Sequence, residues 1–104
     1  MNATLIGLSE QTIEKIAGVL ARHPKVEEAI LYGSRAKGNF KNGSDIDLTL
    51  VGAGLTYRDL LALTGELDDL LLPYTIDLSI FHQLEHPELV DHIQRVGIPI
   101  YSAS

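Results

Sequence analysis

Apolar residues recur along this chain with two different periods, and the switches between them mark the elements. Ile13, Ile16, Ala17 and Leu20 fall on one stripe at helical spacing. Ser9 is placed to cap that helix, which runs to about Arg22 and stops at His23-Pro24. Val26 to Tyr32 reads as a short strand broken by Gly33-Ser34. A polar stretch from Arg35 to Ser44 follows, with Asn42-Gly43 as its turn signal. Asp45 to Val51 is a second strand, with Asp45, Asp47 and Thr49 on one face and Ile46, Leu48 and Leu50 on the other. After Gly52-Ala53-Gly54, Thr56 caps a leucine-rich helix to about Leu71, and Pro73 stops it. Thr75 to Phe81 makes a third strand, in which Ile76, Leu78 and Ile80 alternate with Asp77, Ser79 and Phe81. Pro87 suits the first turn of a last helix that Gly97 and Pro99 end. The expected class is α/β (α+β). A small mixed sheet carries helices packed on one face, and residues 1–104 form one domain.

Composition narrows the function classes. At 45% hydrophobic and 21% charged residues, the chain has the balance of a globular protein. It holds no Cys, which excludes a disulfide framework, a thiolate zinc site and a cysteine nucleophile. The sequence shows neither a secretory signal pattern nor an apolar run long enough to span a membrane, so a cytoplasmic protein is expected. A net charge of −6 argues against bulk binding of nucleic acid. The charge is uneven, however. Arg35, Lys37 and Lys41 cluster after Gly33-Ser34, which suits a small anion site better than a scaffold for polyanions.

Residues two apart in a strand sit on the same face about 6.6 Å apart, so the carboxylates of Asp45 and Asp47 can converge on a metal. Two such acids alone are an ordinary solvated face. Asp77 repeats the arrangement in another strand, and if the strands are neighbours with matched facing, three like charges gather on one side. A divalent cation resolves that conflict, and magnesium fits a site of few carboxylates completed by water and phosphate. The other reading leaves the strands apart, with Asp77 facing solvent or a lysine. Gly33 lets the backbone approach a ligand closely, Ser34 offers a hydroxyl, and Arg35 is suited to phosphate. Gly-Ser-Arg by itself is a common turn. The chain has neither the Walker-type phosphate loop nor the kinase glycine set.

Taken together, Leu31-Tyr32-Gly33-Ser34-Arg35-Ala36-Lys37-Gly38 and Ser44-Asp45-Ile46-Asp47-Leu48, with ten residues between Ser34 and Asp45 and a later strand aspartate, resemble the DNA polymerase beta-type nucleotidyltransferases. The chain is most similar to the minimal nucleotidyltransferase (MNT) branch, and the resemblance extends to the closing Gly97-Ile98-Pro99-Ile100-Tyr101. It implies that Gly33 and Ser34 bind the triphosphate of ATP and that Asp45 and Asp47 hold two Mg2+ ions. Asp77 would complete the metal site and help to deprotonate the attacking hydroxyl. Arg35 and Lys37 would balance charge on the pyrophosphate.

Only 27 residues follow Asp77, enough for a helix and a tail but not for an acceptor domain. A partner is therefore expected, and the resemblance implies a small helical protein of the HEPN or substrate-binding type. In the toxin–antitoxin version, the MNT protein attaches AMP to a tyrosine of its HEPN partner. Two alternatives stay open, an antitoxin that acts by masking and a transferase acting on a small molecule. The remaining features read as structure. His82 and His86 are loop or capping residues, His23 ends a helix, and His92 lies on a helix surface. Glu66, Asp68 and Asp69 form a solvated face. The leucine stripe of residues 60–71 belongs to the core or, if too wide, to a homo- or hetero-oligomer contact.

Overall fold

The computed structural model describes residues 7–38, 40 and 45–103, so the Asn42-Gly43 turn and Lys41 lie outside the described residues. The elements run α1 (Glu10–Ala21), β1 (Glu28–Tyr32), α2 (Ser34–Lys37), β2 (Ile46–Val51), α3 (Tyr57–Asp68), β3 (Ile76–Ile80), α4 (Pro87–Val96) and β4 (Ile98–Ser102). Local chemistry sets their starts. Ser9 Oγ accepts the Thr12 N–H at 3.1 Å at the head of α1. Thr56 and Asp59 close a reciprocal capping box at the head of α3. His86 Nδ1 accepts from the Leu89 N–H at 3.3 Å, and Pro87 fills the first helical position of α4.

The strands form one mixed sheet in the order β3-β2-β1-β4. β1 is antiparallel to both β2 and β4, and β2 is parallel to β3. Strand alternation sorts the side chains as the sequence pattern requires. Ala29, Leu31, Ile46, Leu48 and Leu50 are fully buried beneath α1 and α3, against Ile16, Leu20, Leu63 and Leu67. Each fully buried Leu or Ile side chain among them contributes about 1.5–3 kcal/mol. Asp47, Asp77 and Tyr32 occupy the opposite face.

Two features depart from the sequence reading, which expected three strands and helices on one face only. Residues 98–102 form a fourth strand despite Gly97 and Pro99. Pro99 is accommodated because β4 is an edge strand with irregular register against β1. The second feature is the position of α4. It lies across from α1 and α3, since His92 meets the Tyr32 ring and Gly97 sits against the Ile30 side chain on the Asp47 face. Ile93 is 2% exposed yet stands apart from the main core cluster. Handedness explains the placement. β2–α3–β3 and β3–α4–β4 each join parallel strands but cross the sheet in opposite directions. Parallel crossovers are almost always right-handed, which sends the two helices to opposite faces.

Glu66 is not part of a free solvated face. Its carboxylate bonds Arg22 at 2.9 Å and His23 Nε2 at 2.6 Å, tying α3 to the end of α1. Arg22 first, and His23 after it, hold the Glu66 carboxyl below its usual 4.5. Its contribution is therefore fully present above pH 4.5 and is lost as pH falls through the lower folded value. Glu66→Gln is expected to lower the melting temperature at pH 7, with the gap from wild type closing in acid, as thermal melts across pH will measure. Leu48→Ala, in the central strand, is expected to cost about 2–5 kcal/mol in urea unfolding. Leu61→Ala, at a residue 55% exposed, should stay within about 0.5 kcal/mol.

Candidate active site

Parallel pairing of β2 with β3 places Asp47 directly beside Asp77, and antiparallel pairing with β1 places Tyr32 on the other flank of Asp47. Neighbouring strands lie about 4.8 Å apart, so the two aspartates share a site face at close range. Asp45 immediately precedes β2 and is exposed. The adjacency that sequence could only suppose is thus present. Burial, then the charges of Asp77 and Asp45, push the Asp47 carboxyl above its ordinary value. Among the described residues, no lysine or arginine pairs with Asp47 or Asp77. No group of three acids or histidines among them is close enough to enclose a metal ion by itself. The donor set is therefore a crowded pair with Asp45 near it. This fits magnesium, which takes few protein ligands and completes its shell with water and phosphate oxygens.

Tyr32 leads into the second half of the site. Burial raises its phenol above the ordinary value, opposed by a hydrogen bond with Ser79, and Asp47 and Asp77 add to the rise. Gly33 follows with φ 78° and ψ −154°, a conformation nearly confined to glycine. A Cβ there would fall on the Asp47 carboxylate. The glycine therefore serves two needs, the backbone turn and the room that Asp47 occupies. Ser34 to Lys37 then form the single turn of α2, closed by Gly38 in the left-handed region.

Gly33, Ser34, Asp45, Asp47 and Asp77 thus gather at one end of the sheet, while the basic residues divide. Lys37 is exposed at the end of α2. Arg35 is 2% exposed, its guanidinium between the rings of Phe40 at 5.1 Å and Tyr74 at 4.8 Å, with Nη1 donating to the Gly7 carbonyl at 3.4 Å. The sequence reading of Arg35 as a pyrophosphate contact meets a side chain that is buried against aromatic rings. Cation–π contact makes Arg35 a brace between the Gly33 segment and Tyr74, two residues before β3. His92 also departs from the sequence reading. It is half-buried, its ring stands edge-on to Tyr32 at 6.3 Å and 81°, and its Nε2 accepts the Gly33 N–H at 3.1 Å. Its only signal in the sequence is its place beside Ile93, the buried anchor of α4.

Gly33→Ala tests this packing. The substitution is expected to cost about 1–3 kcal/mol in denaturant unfolding through backbone strain. It should also displace the Asp47 carboxylate, read from side-chain resonances by NMR.

No curated protein sequence matches the chain. Among solved structures, a toxin–antitoxin complex with AMP-PNP superposes with a TM-score of 0.72 at 23% identity, covering 88% of this chain and 74% of that one. The MntA–HepT toxin–antitoxin matches at 0.69 and 21% identity, covering 91% and 74%. A complex of tri-AMPylated Shewanella oneidensis HEPN toxin with MNT antitoxin matches at 0.68 and 21%, covering 90% and 72%. At these identities the likeness establishes a shared fold. The family match reaches further, because the Polymerase beta nucleotidyltransferase pattern aligns with residues 14–104. By sheet, by motif and by this alignment, the chain belongs to the Polymerase beta nucleotidyltransferase family.

Proposed function

We propose that this chain is a Mg-dependent nucleotidyltransferase that moves AMP from ATP to a tyrosine hydroxyl of a HEPN-type helical partner, acting as its antitoxin. The observation that carries the proposal is the in-register pair Asp47 and Asp77 beside the Gly33 turn. Family membership supports nucleotidyl transfer. The AMP-PNP complex and the tri-AMPylated HEPN toxin among the structural relatives support ATP as donor and a protein as acceptor.

In this reading Asp45 and Asp47 hold two magnesium ions, with Asp77 completing the site. Those ions supply Lewis-acid stabilisation of the charge that builds on phosphate oxygens. Gly33 lets the backbone come close to the triphosphate, and Ser34 adds its hydroxyl as a donor. Lys37 at the mouth balances charge on the pyrophosphate. Asp77 takes the proton from the acceptor hydroxyl as its oxygen bonds the α-phosphorus and the bond to pyrophosphate breaks. The partner supplies the acceptor side. Among the described residues no helix is long and apolar enough to cross a membrane, consistent with a partner met in an aqueous compartment.

Incubating the protein with its helical partner, magnesium and ATP labelled at the α-phosphate should yield labelled partner. Asp45→Asn with Asp47→Asn is expected to abolish the label, a loss of at least about a hundredfold, while the far-UV circular dichroism is retained. Full labelling by the double variant sinks the assignment. Neutralisation of the partner by a folded, inactive double variant would instead favour masking.

A further inference from the structure

Beyond the acids and the glycine turn, one side chain joins the two halves of the site. We infer that His92 is a positioning residue that holds the Gly33 turn in the form that receives the triphosphate, an inference that rests on the nucleotidyl-transfer reading. Glycine reaches this backbone conformation without steric cost but reaches others as easily, so contacts from outside the turn must select its shape. Gly33 also begins α2 without a side-chain cap. The support comes from across the sheet, since the Gly33 N–H donates to His92 Nε2 at 3.1 Å. The bond uses the Nε2 lone pair, so that nitrogen carries no proton.

His92 is itself fixed. Its ring meets Tyr32 edge-on at 6.3 Å, and the adjacent Ile93, 2% exposed, presses α4 onto the sheet. The turn held in this way also lies against the Asp47 carboxylate. Loss of the imidazole therefore loosens the phosphate turn first and the wall beside Asp47 second. Because the Gly33 N–H is committed to His92, contact with phosphate falls to the groups that follow it in the turn. A side chain on the last helix thereby sets the shape of a loop formed far earlier in the chain.

The test combines kinetics with a probe independent of activity. In labelled-ATP transfer to the partner, His92→Ala is expected to raise the KM for ATP about tenfold, the scale of one lost hydrogen bond, with kcat changed less. His92→Gln, whose amide oxygen accepts from the same N–H, should bring KM back to within about threefold of wild type. Amide exchange at Gly33, followed by NMR, should be faster in His92→Ala and restored in His92→Gln. A purely structural role would lower the active fraction and leave KM unmoved. Wild-type KM together with wild-type Gly33 protection in His92→Ala overturns the inference, as does His92→Gln behaving like His92→Ala. If wild-type protein transfers no label, the transferase reading fails by itself, and Gly33 exchange still decides whether His92 holds the turn.

Discussion

The parallel register between β2 and β3 is the constraint from which the rest of the molecule follows. Ile46, Leu48 and Leu50 pair with Ile76, Leu78 and Ile80, while Asp47 and Thr49 pair with Asp77 and Ser79. A slip of one residue would set aspartates against leucines and turn one strand's acids into the core. Hydrophobic burial therefore fixes the distance between the two carboxylates, although neither carboxylate is in the core. Their mutual repulsion is tolerated because the same pairing buries the aliphatic face of β2 completely. The site is strained electrostatically by the fold's own stabilising interaction.

Crossover handedness adds the second level of control. With β3 and β4 at opposite edges of the sheet, the chain must travel back over the strands that lie between. It does so on the acidic face, because a right-handed crossover in the return direction lies on the side opposite α3. The helix that returns carries His92 to Tyr32 and Gly33. Delivery of this histidine is thus a property of topology more than of local sequence.

That division explains what could be read beforehand. Strand alternation, the Ser9 and Thr56 caps and the Pro87 start are local signals, and each appears in the structure where its chemistry predicts. The matching phases of Asp47 and Asp77 were legible for the same reason. β4 was not, because Gly97 and Pro99 carry helix-stop signals and only pairing with β1 makes residues 98–102 a strand. Without β4 there is no return crossover, so neither the face of α4 nor the place of His92 can be deduced. Arg35 was legible as a charge near a phosphate motif, but its aromatic neighbour Tyr74 is remote in sequence. Glu66 likewise looks solvated until the ends of α1 and α3 are brought together.

The close approach of Gly33 to Asp47 has an evolutionary consequence. A methyl group at position 33 would claim the volume that the carboxylate occupies. Position 33 is therefore closed to any side chain while Asp47 keeps its place, and its φ of 78° keeps it closed even where the carboxylate is gone. The constraint runs one way, since a smaller residue at 47 leaves the glycine undisturbed. A homologue in which glycine has been replaced while the aspartate persists would have had to remodel the turn itself.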